Sequence, residues 1–144
     1  MFFDQYEYAV GSKGRVKVPP AFTDELTSSF KATRGPNGVI WLLPPSLWNT
    51  VERMFGEKTL PFQGHAAKIY GLIFGNTSEV TLDRQGRIML TPVMRRHCDI
   101  TGTAVFRGAG LWVELWSPDR LEEYRADEHD LTMDELFREH AAGK

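Results

Sequence analysis

The chain holds a single cysteine, Cys98, so neither an internal disulfide framework nor a thiolate zinc site can form, and a reducing compartment fits. It has no apolar run near the roughly 18 residues that a membrane-spanning helix requires. Residues 1–10 mix aromatic and acidic groups where a secretory signal would carry a basic end and a greasy stretch. A cytoplasmic protein without a membrane partner is therefore expected. There is no P-loop, no GxGxxG and no HExxH, and His65, His129 and His140 lack paired-ligand spacing, so no cofactor and no metal is expected. His97 and Cys98 are neighbours on a predicted helix and point about 100° apart, which is wrong for a base and its nucleophile. Without a clustered acid, base or nucleophile, an enzyme with a small-molecule substrate is not expected.

Strong net charge is missing too. The 17 Lys and Arg against 19 Asp and Glu leave −2, which by itself speaks against a nucleic-acid partner. That average hides a division, because residues 127–144 are net −4 and residues 1–126 net +2. Between Arg84 and Arg107, five arginines face only Asp99. With 144 residues, 42% of them hydrophobic and 25% charged, the chain is long and apolar enough for a real core, in one domain or two small intimate ones.

What the sequence does have is itself, twice. GSKGRVKVPPAF at 11–22 aligns with DRQGRIMLTPVM at 83–94 at an offset of 72 residues, half the chain. RGPNGVIWLLPPSLW at 34–48 aligns with RGAGLWVELWSPDRL at 107–121 at an offset of 73, falling back to 72 after a one-residue deletion. Each copy reads alike. An alternating segment (6–10, 79–82), a polar turn around Gly14 or Gly86, and a second alternating segment (15–18, 87–90) predict a β-hairpin. Pro19 and Pro20, or Pro92, then end the ladder and open a short helix (21–26, 93–98). A glycine-turned strand pair follows (30–34 with 39–43, 103–107 with 111–115), and a helix closes each copy, the second with Ser117 as N-cap and Pro118 as its first residue. Such a unit covers only one face of its sheet, so two copies are expected to interlock about a pseudo-twofold axis. Val16, Val18, Ile88 and Leu90 are the matched core candidates, with Trp41, Val113 and Trp116 on the later strands. Residues 64–75 predict a linking helix packed through Ala67, Tyr70, Leu72 and Phe74.

The two turns are basic. Glycine there allows a tight loop with exposed amides, and the repetition offers Lys13, Arg15, Arg84 and Arg87 as one paired basic surface suited to a duplex. Arg95 and Arg96 follow the second turn and are open between phosphate contacts and a solvated face, since Thr23 and Asp24 stand at the matching positions. Arg34 and Arg107 precede glycine turns and are expected to order them by pairing with an acid. Residues 127–130 are expected to be a polar linker. The Thr132 to Glu135 capping box, with Met133, Leu136, Phe137, His140 and Ala141 at helical spacing, predicts an amphipathic tail helix. That helix is expected to pack back on its own chain or fray; docking on a neighbouring subunit and competition for the basic turns are the alternatives.

The doubled pattern, with DRQGRIMLTPVMRRHCDITG at 83–102 and the shared RG...W, resembles the MraZ family, the duplicated branch of the SpoVT/AbrB bacterial DNA-binding proteins, over residues 1–125. The family's Asp-x-x-x-Arg pattern is whole in the second copy, as Asp83, Gly86 and Arg87, with Pro92 one residue late. In the first copy Gly11 stands where the aspartate belongs, which predicts a looser loop. The resemblance implies an α+β, mainly β fold: a swapped-hairpin, or double-split, β-barrel of two SpoVT/AbrB-like repeats with peripheral helices. The expected division is a first repeat at 1–56, a linker helix region at 57–76, a second repeat at 77–125 and an acidic helix or tail at 126–144. It further implies a nucleoid-associated, ring-shaped homo-oligomer that binds direct repeats in double-stranded promoter DNA of its own division and cell-wall operon and regulates transcription. Arg15 and Arg87 are then the first DNA-contact candidates and Lys13 and Arg84 the second, with Gly14, Gly86 and Asp83 supporting the loops. The rival expectation is a protein-interaction ring or antidote-like adaptor without DNA, motivated by the acidic balance and by Gly11.

Overall fold

In a computed structural model the described residues are 1–56, 64–129 and 133–143. The first copy supplies β1 (Gln5–Ala9), β2 (Arg15–Lys17), α1 (Pro20–Leu26), β3 (Ser29–Arg34), β4 (Ile40–Leu43) and α2 (Pro45–Gly56), with a 3-10 turn at Pro36–Gly38 between β3 and β4. After α3 (Gly64–Phe74) the second copy repeats the order as β5 (Thr77–Thr81), β6 (Arg87–Met89), α4 (Pro92–Cys98), β7 (Thr103–Gly108), β8 (Val113–Trp116) and α5 (Pro118–His129), and α6 (Met133–Gly143) follows. The fold is α+β and mainly antiparallel sheet.

The strand pairing departs from the local reading. Alternation predicts β1 with β2 and β5 with β6 as hairpins, yet each such pair splits. Strand β1 pairs with β7 and β5 with β3, while β2 and β6 form a ribbon of their own. The six-stranded sheet runs β1-β7-β8-β4-β3-β5, an order that exchanging the two copies simply reverses. Its pseudo-twofold axis lies at the β4–β8 ladder, where Ile40↔Leu115 and Leu42↔Val113 flank Trp41↔Glu114. Those pairs are exchanged by a shift of 73, and Pro45 and Pro118 open α2 and α5 at the same shift, so the one-residue deletion read from the sequence does not occur there. In the ribbon the axis passes through Val16↔Ile88 at a shift of 72.

One core serves both copies. The inward residues of the ribbon (Val16, Val18, Ile88, Leu90) meet Phe22, Leu26, Met94 and Cys98 from α1 and α4 and the inner face of the sheet, all of them buried. At the 72-residue shift Cys98 takes the place of Leu26, so the lone thiol fills a position that an aliphatic side chain fills in the other half. On the opposite face Val39, Val105, Trp116 and Leu121 bury together, with Trp41 half-buried against them. Strand β7 is covered on both sides, which is why Ala104, Val105 and Phe106 are all buried in a row. Ser117 Oγ accepts the Arg120 N–H at 3.1 Å and so caps α5.

The linking helix forms, but only one side of it packs. Tyr70 and Phe74 stack edge-on against Phe55 at 5.3 and 5.9 Å, and the Tyr70 hydroxyl donates to the Phe55 carbonyl. Leu72 and Ala67, expected among the packing residues, point outward, Leu72 with 68% exposure. The apolar residues of α3 run nearly all round the helix, and α2 offers only one surface to meet them. Thr132 of the predicted capping box lies outside the described residues. On helix α6, Met133 and Phe137 of the predicted apolar side are both exposed.

Phe22, seated edge-to-face against Phe2 and Tyr6 at 5.4 and 5.3 Å, ties the first residues of the chain to the common core. Phe22→Ala is expected to cost about 3–5 kcal/mol, and to lower the thermal midpoint by on the order of 10 °C. Leu72→Ala should shift the midpoint hardly at all. Comparable shifts for the two variants in thermal unfolding would contradict this division between core and surface.

Candidate nucleic-acid interface

Both turns are built from the same backbone bonds. In the second, Asp83 N–H donates to the Arg87 carbonyl at 2.9 Å and Gly86 N–H to the Asp83 carbonyl at 3.0 Å. In the first, Gly11 N–H donates to Arg15 at 2.9 Å and Gly14 N–H to Gly11 at 2.9 Å. The first turn therefore keeps the same backbone bonds without an aspartate, while lacking the side-chain bonds on which the expectation of a looser loop rests. The glycines take left-handed backbone, with φ of 82° at Gly14 and 74° at Gly86, where a side chain is disfavoured. Each turn is then fastened by the other copy: the Gly14 carbonyl accepts Leu90 N–H at 2.7 Å, and the Gly86 carbonyl accepts Val18 N–H at 3.0 Å.

The side chains differ where the backbones agree. Asp83 Oδ1 accepts the N–H groups of Gln85 and Arg87 at 2.8 and 2.9 Å, and Oδ2 takes the Arg87 guanidinium Nε at 3.0 Å. The Arg87 N–H bond, helped by those from Gln85 and the guanidinium, holds the Asp83 carboxyl below the usual carboxylate range, against the opposing pull of desolvation. Arg15, Lys13 and Arg84 are exposed, and no ion pair to any of them is found among the described residues.

The ribbon decides how these groups meet. With Val16 and Ile88 turned inward, its outer face carries Arg15 opposite Met89 and Lys17 opposite Arg87. Arg15 and Arg87 are diagonal neighbours, a spacing of about 7–8 Å in such a ladder. Gly14 and Gly86 lie at opposite ends of the ribbon, about 14 Å apart at the usual rise per residue. Arg15, Arg87 and Lys17 thus make one basic stripe, and Lys13 and Arg84 are exposed in the turns at its two ends. Sequence reading missed Lys17, whose counterpart in the other copy is the neutral Met89; only the cross-copy register puts it beside Arg87.

The remaining candidates divide. The half-buried Arg95 guanidinium packs on the first turn, its Cζ 3.4 Å from where a Cβ on Gly14 would stand, while Arg96 is exposed. Arg107 Nε meets Glu114 Oε1 at 3.6 Å, the structural pairing expected of it, and the backbone N–H of Arg34 donates to Asn76 at 3.0 Å. His97 Nε2 lies 2.9 Å from both the Gly35 and the Val39 carbonyl oxygens, tying α4 to the β3–β4 turn. Burial pushes the Cys98 thiol up to about 12, although the Arg120 charge pulls the other way. Among the described residues no group of three His, Cys, Asp or Glu side chains could hold a metal ion, and no helix is long and apolar enough to cross a membrane.

Two outcomes follow from this geometry. Added at Gly14, a Cβ would stand 2.7 Å from the Leu90 carbonyl oxygen, whereas at Gly86 it meets nothing within 4 Å. Both Gly→Ala variants bear the left-handed penalty of roughly 1–2 kcal/mol, so Gly14→Ala should lose more thermal stability than Gly86→Ala; equal losses would count against the close crossing. Cys98 should resist a thiol-specific reagent at pH 8 in the folded protein and react fully once unfolded. Rapid labelling of the native chain would contradict its placement.

Comparison with known proteins finds relatives along most of the chain. The family profile described as "MraZ protein, putative antitoxin-like" matches residues 73–142. A protein of Alkaliphilus oremlandii named transcriptional regulator MraZ is 34% identical over 137 residues, covering 94% of each chain. One of the same name from Heliobacterium modesticaldum is 33% identical, covering 86% of each, and one from Caldanaerobacter subterraneus subsp. tengcongensis is 32% identical over 94% of each. Similarity that runs through both copies, at this identity and coverage, makes the chain a member of the MraZ family.

Proposed function

We propose that this protein is a DNA-binding transcriptional regulator that sets the β2–β6 ribbon into the major groove of a duplex. The observation that carries the reading is the outer face of that ribbon, where Arg15, Arg87 and Lys17 stand together above a buried Val16–Ile88 pair. A major groove is about 12 Å wide and admits a two-stranded ribbon. Arginines on the face of the ribbon reach base edges or the phosphates that flank them, and Lys13 and Arg84 at its ends reach phosphates. The name shared by the relatives, transcriptional regulator MraZ, supports the same assignment.

The finer parts of the reading follow the family resemblance. The sheet and ribbon form one double-split barrel from the repeats at 1–56 and 77–125, with 57–76 as the linker region and 126–144 as an acidic appendage. The protein acts in the cytoplasm at the nucleoid, as a ring-shaped homo-oligomer on direct repeats of its own division and cell-wall promoter. So few cations per chain make weak individual contacts, and a ring multiplies them through effective concentration.

The test is binding of the full chain to the duplex upstream of its own gene, against a scrambled duplex of equal length, over a salt series. Tight, sequence-dependent binding with a steep salt slope is expected. Arg15→Ala and Arg87→Ala should each weaken it about tenfold or more, with an unchanged thermal midpoint. Equal, weak and salt-insensitive binding to both duplexes would overturn the reading in favour of a protein-interaction adaptor.

A further inference from the structure

The pseudo-twofold axis relates two turns of equal backbone and unequal charge. Around the second, Arg87 has a like charge directly across the ladder in Lys17 and a counter-charge in Asp83, which grips its Nε. Around the first, Arg15 faces neutral Met89, has Gly11 in place of the acid, and shares its turn with the Arg95 guanidinium packed on Gly14. The matching position of Arg95 in the other copy is Thr23.

The two arginines are consequently different instruments. With Nε held by a carboxylate, Arg87 has one preferred orientation, and its terminal amino groups, which bond no other described residue, supply the pair of donors that a guanine edge accepts. Its rotamer entropy is largely spent before any partner arrives, but its charge is half-answered by Asp83. Arg15 keeps its whole charge and its freedom, which suits a phosphate: a group that offers oxygens in several directions and rewards net charge through counterion release.

We propose that the two turns divide the binding of a DNA duplex, the Gly11 turn supplying uncompensated charge to phosphates and Asp83 acting as a positioning residue that fixes Arg87 to discriminate between bases. This rests on the DNA-binding reading above. It assigns to each turn a separate quantity that binding measurements resolve: the salt slope to the first and the ratio of specific to scrambled affinity to the second.

The experiment exchanges the clamp between the turns in the full chain, using the duplex upstream of its own gene and a scrambled duplex as probes. Gly11→Asp fits, since a Cβ there meets only the Arg15 carbonyl oxygen at 3.4 Å. It should bring a carboxylate onto Arg15 and make the salt slope shallower by about one unit, with the discrimination ratio kept. Asp83→Asn retains an acceptor for the turn amides and loosens the grip on the guanidinium. It should steepen the slope and lower the ratio about tenfold, the scale of one bidentate arginine–base contact. Asp83→Gly should do the same more strongly. Thermal midpoints check that each variant folds, and should Asp83→Gly unfold, the other two decide. If the Asp83 variants keep the ratio, or Gly11→Asp keeps the slope, while Arg15→Ala and Arg87→Ala still weaken binding, the division of labour is overturned and the DNA reading stands. If neither arginine variant alters binding, the ribbon is not the contact surface and this inference fails, and if the unaltered chain binds both duplexes equally and weakly, the DNA reading fails as well.

Discussion

Each half of this chain is unable to satisfy its own backbone. The N–H groups of Val18 and Leu90 find their acceptors in the turn glycines of the opposite copy, and the outer strands β1 and β5 lie against β7 and β3 rather than against their sequence neighbours. A buried amide without a partner costs on the order of 1–3 kcal/mol, and a single copy would carry a row of them along with half a core. Reciprocal hydrogen bonding between the copies is the constraint from which the sheet order, the shared core and the placement of the basic turns all follow.

The same constraint shapes the outer face of the ribbon. Because β2 and β6 come from different copies, antiparallel and centred on Val16 and Ile88, Arg15 and Arg87 must approach each other across the axis. Locally, a strand needs only alternation to keep Val16 inward and Arg15 and Lys17 outward. The turns need only a glycine that accepts a left-handed backbone. None of the four positively charged positions read from the sequence is buried, and among the described residues Arg87 is the one of them with an acidic partner.

Much of this was legible in advance. The duplication, the order of elements, the proline-opened helices and the buried quartet Val16, Val18, Ile88 and Leu90 are all written in residue types and spacing. The partner of each strand is not. Alternation states which face a residue takes and says nothing of whose strand lies alongside, so a short turn reads as a hairpin even where the structure splits it. Lys17 escaped for that reason: its meaning comes from Arg87, seventy residues away. Leu72 escaped for another, since an apolar residue on a helix is read as packed until the neighbouring surface is known to be too small. Cys98 is buried as a small hydrophobe, and its equivalence with Leu26 supplies the cause.

A pair of identical subunits must change both halves with every substitution, and two halves on one chain need not. Covalent fusion is therefore what permits Gly11 and Asp83 to differ while the backbone around them stays matched. An object with true twofold symmetry looks the same when turned end for end, whereas one with a clamped and an unclamped end has a head and a tail. Placed on any linear lattice it points one way, and copies set side by side inherit a common direction.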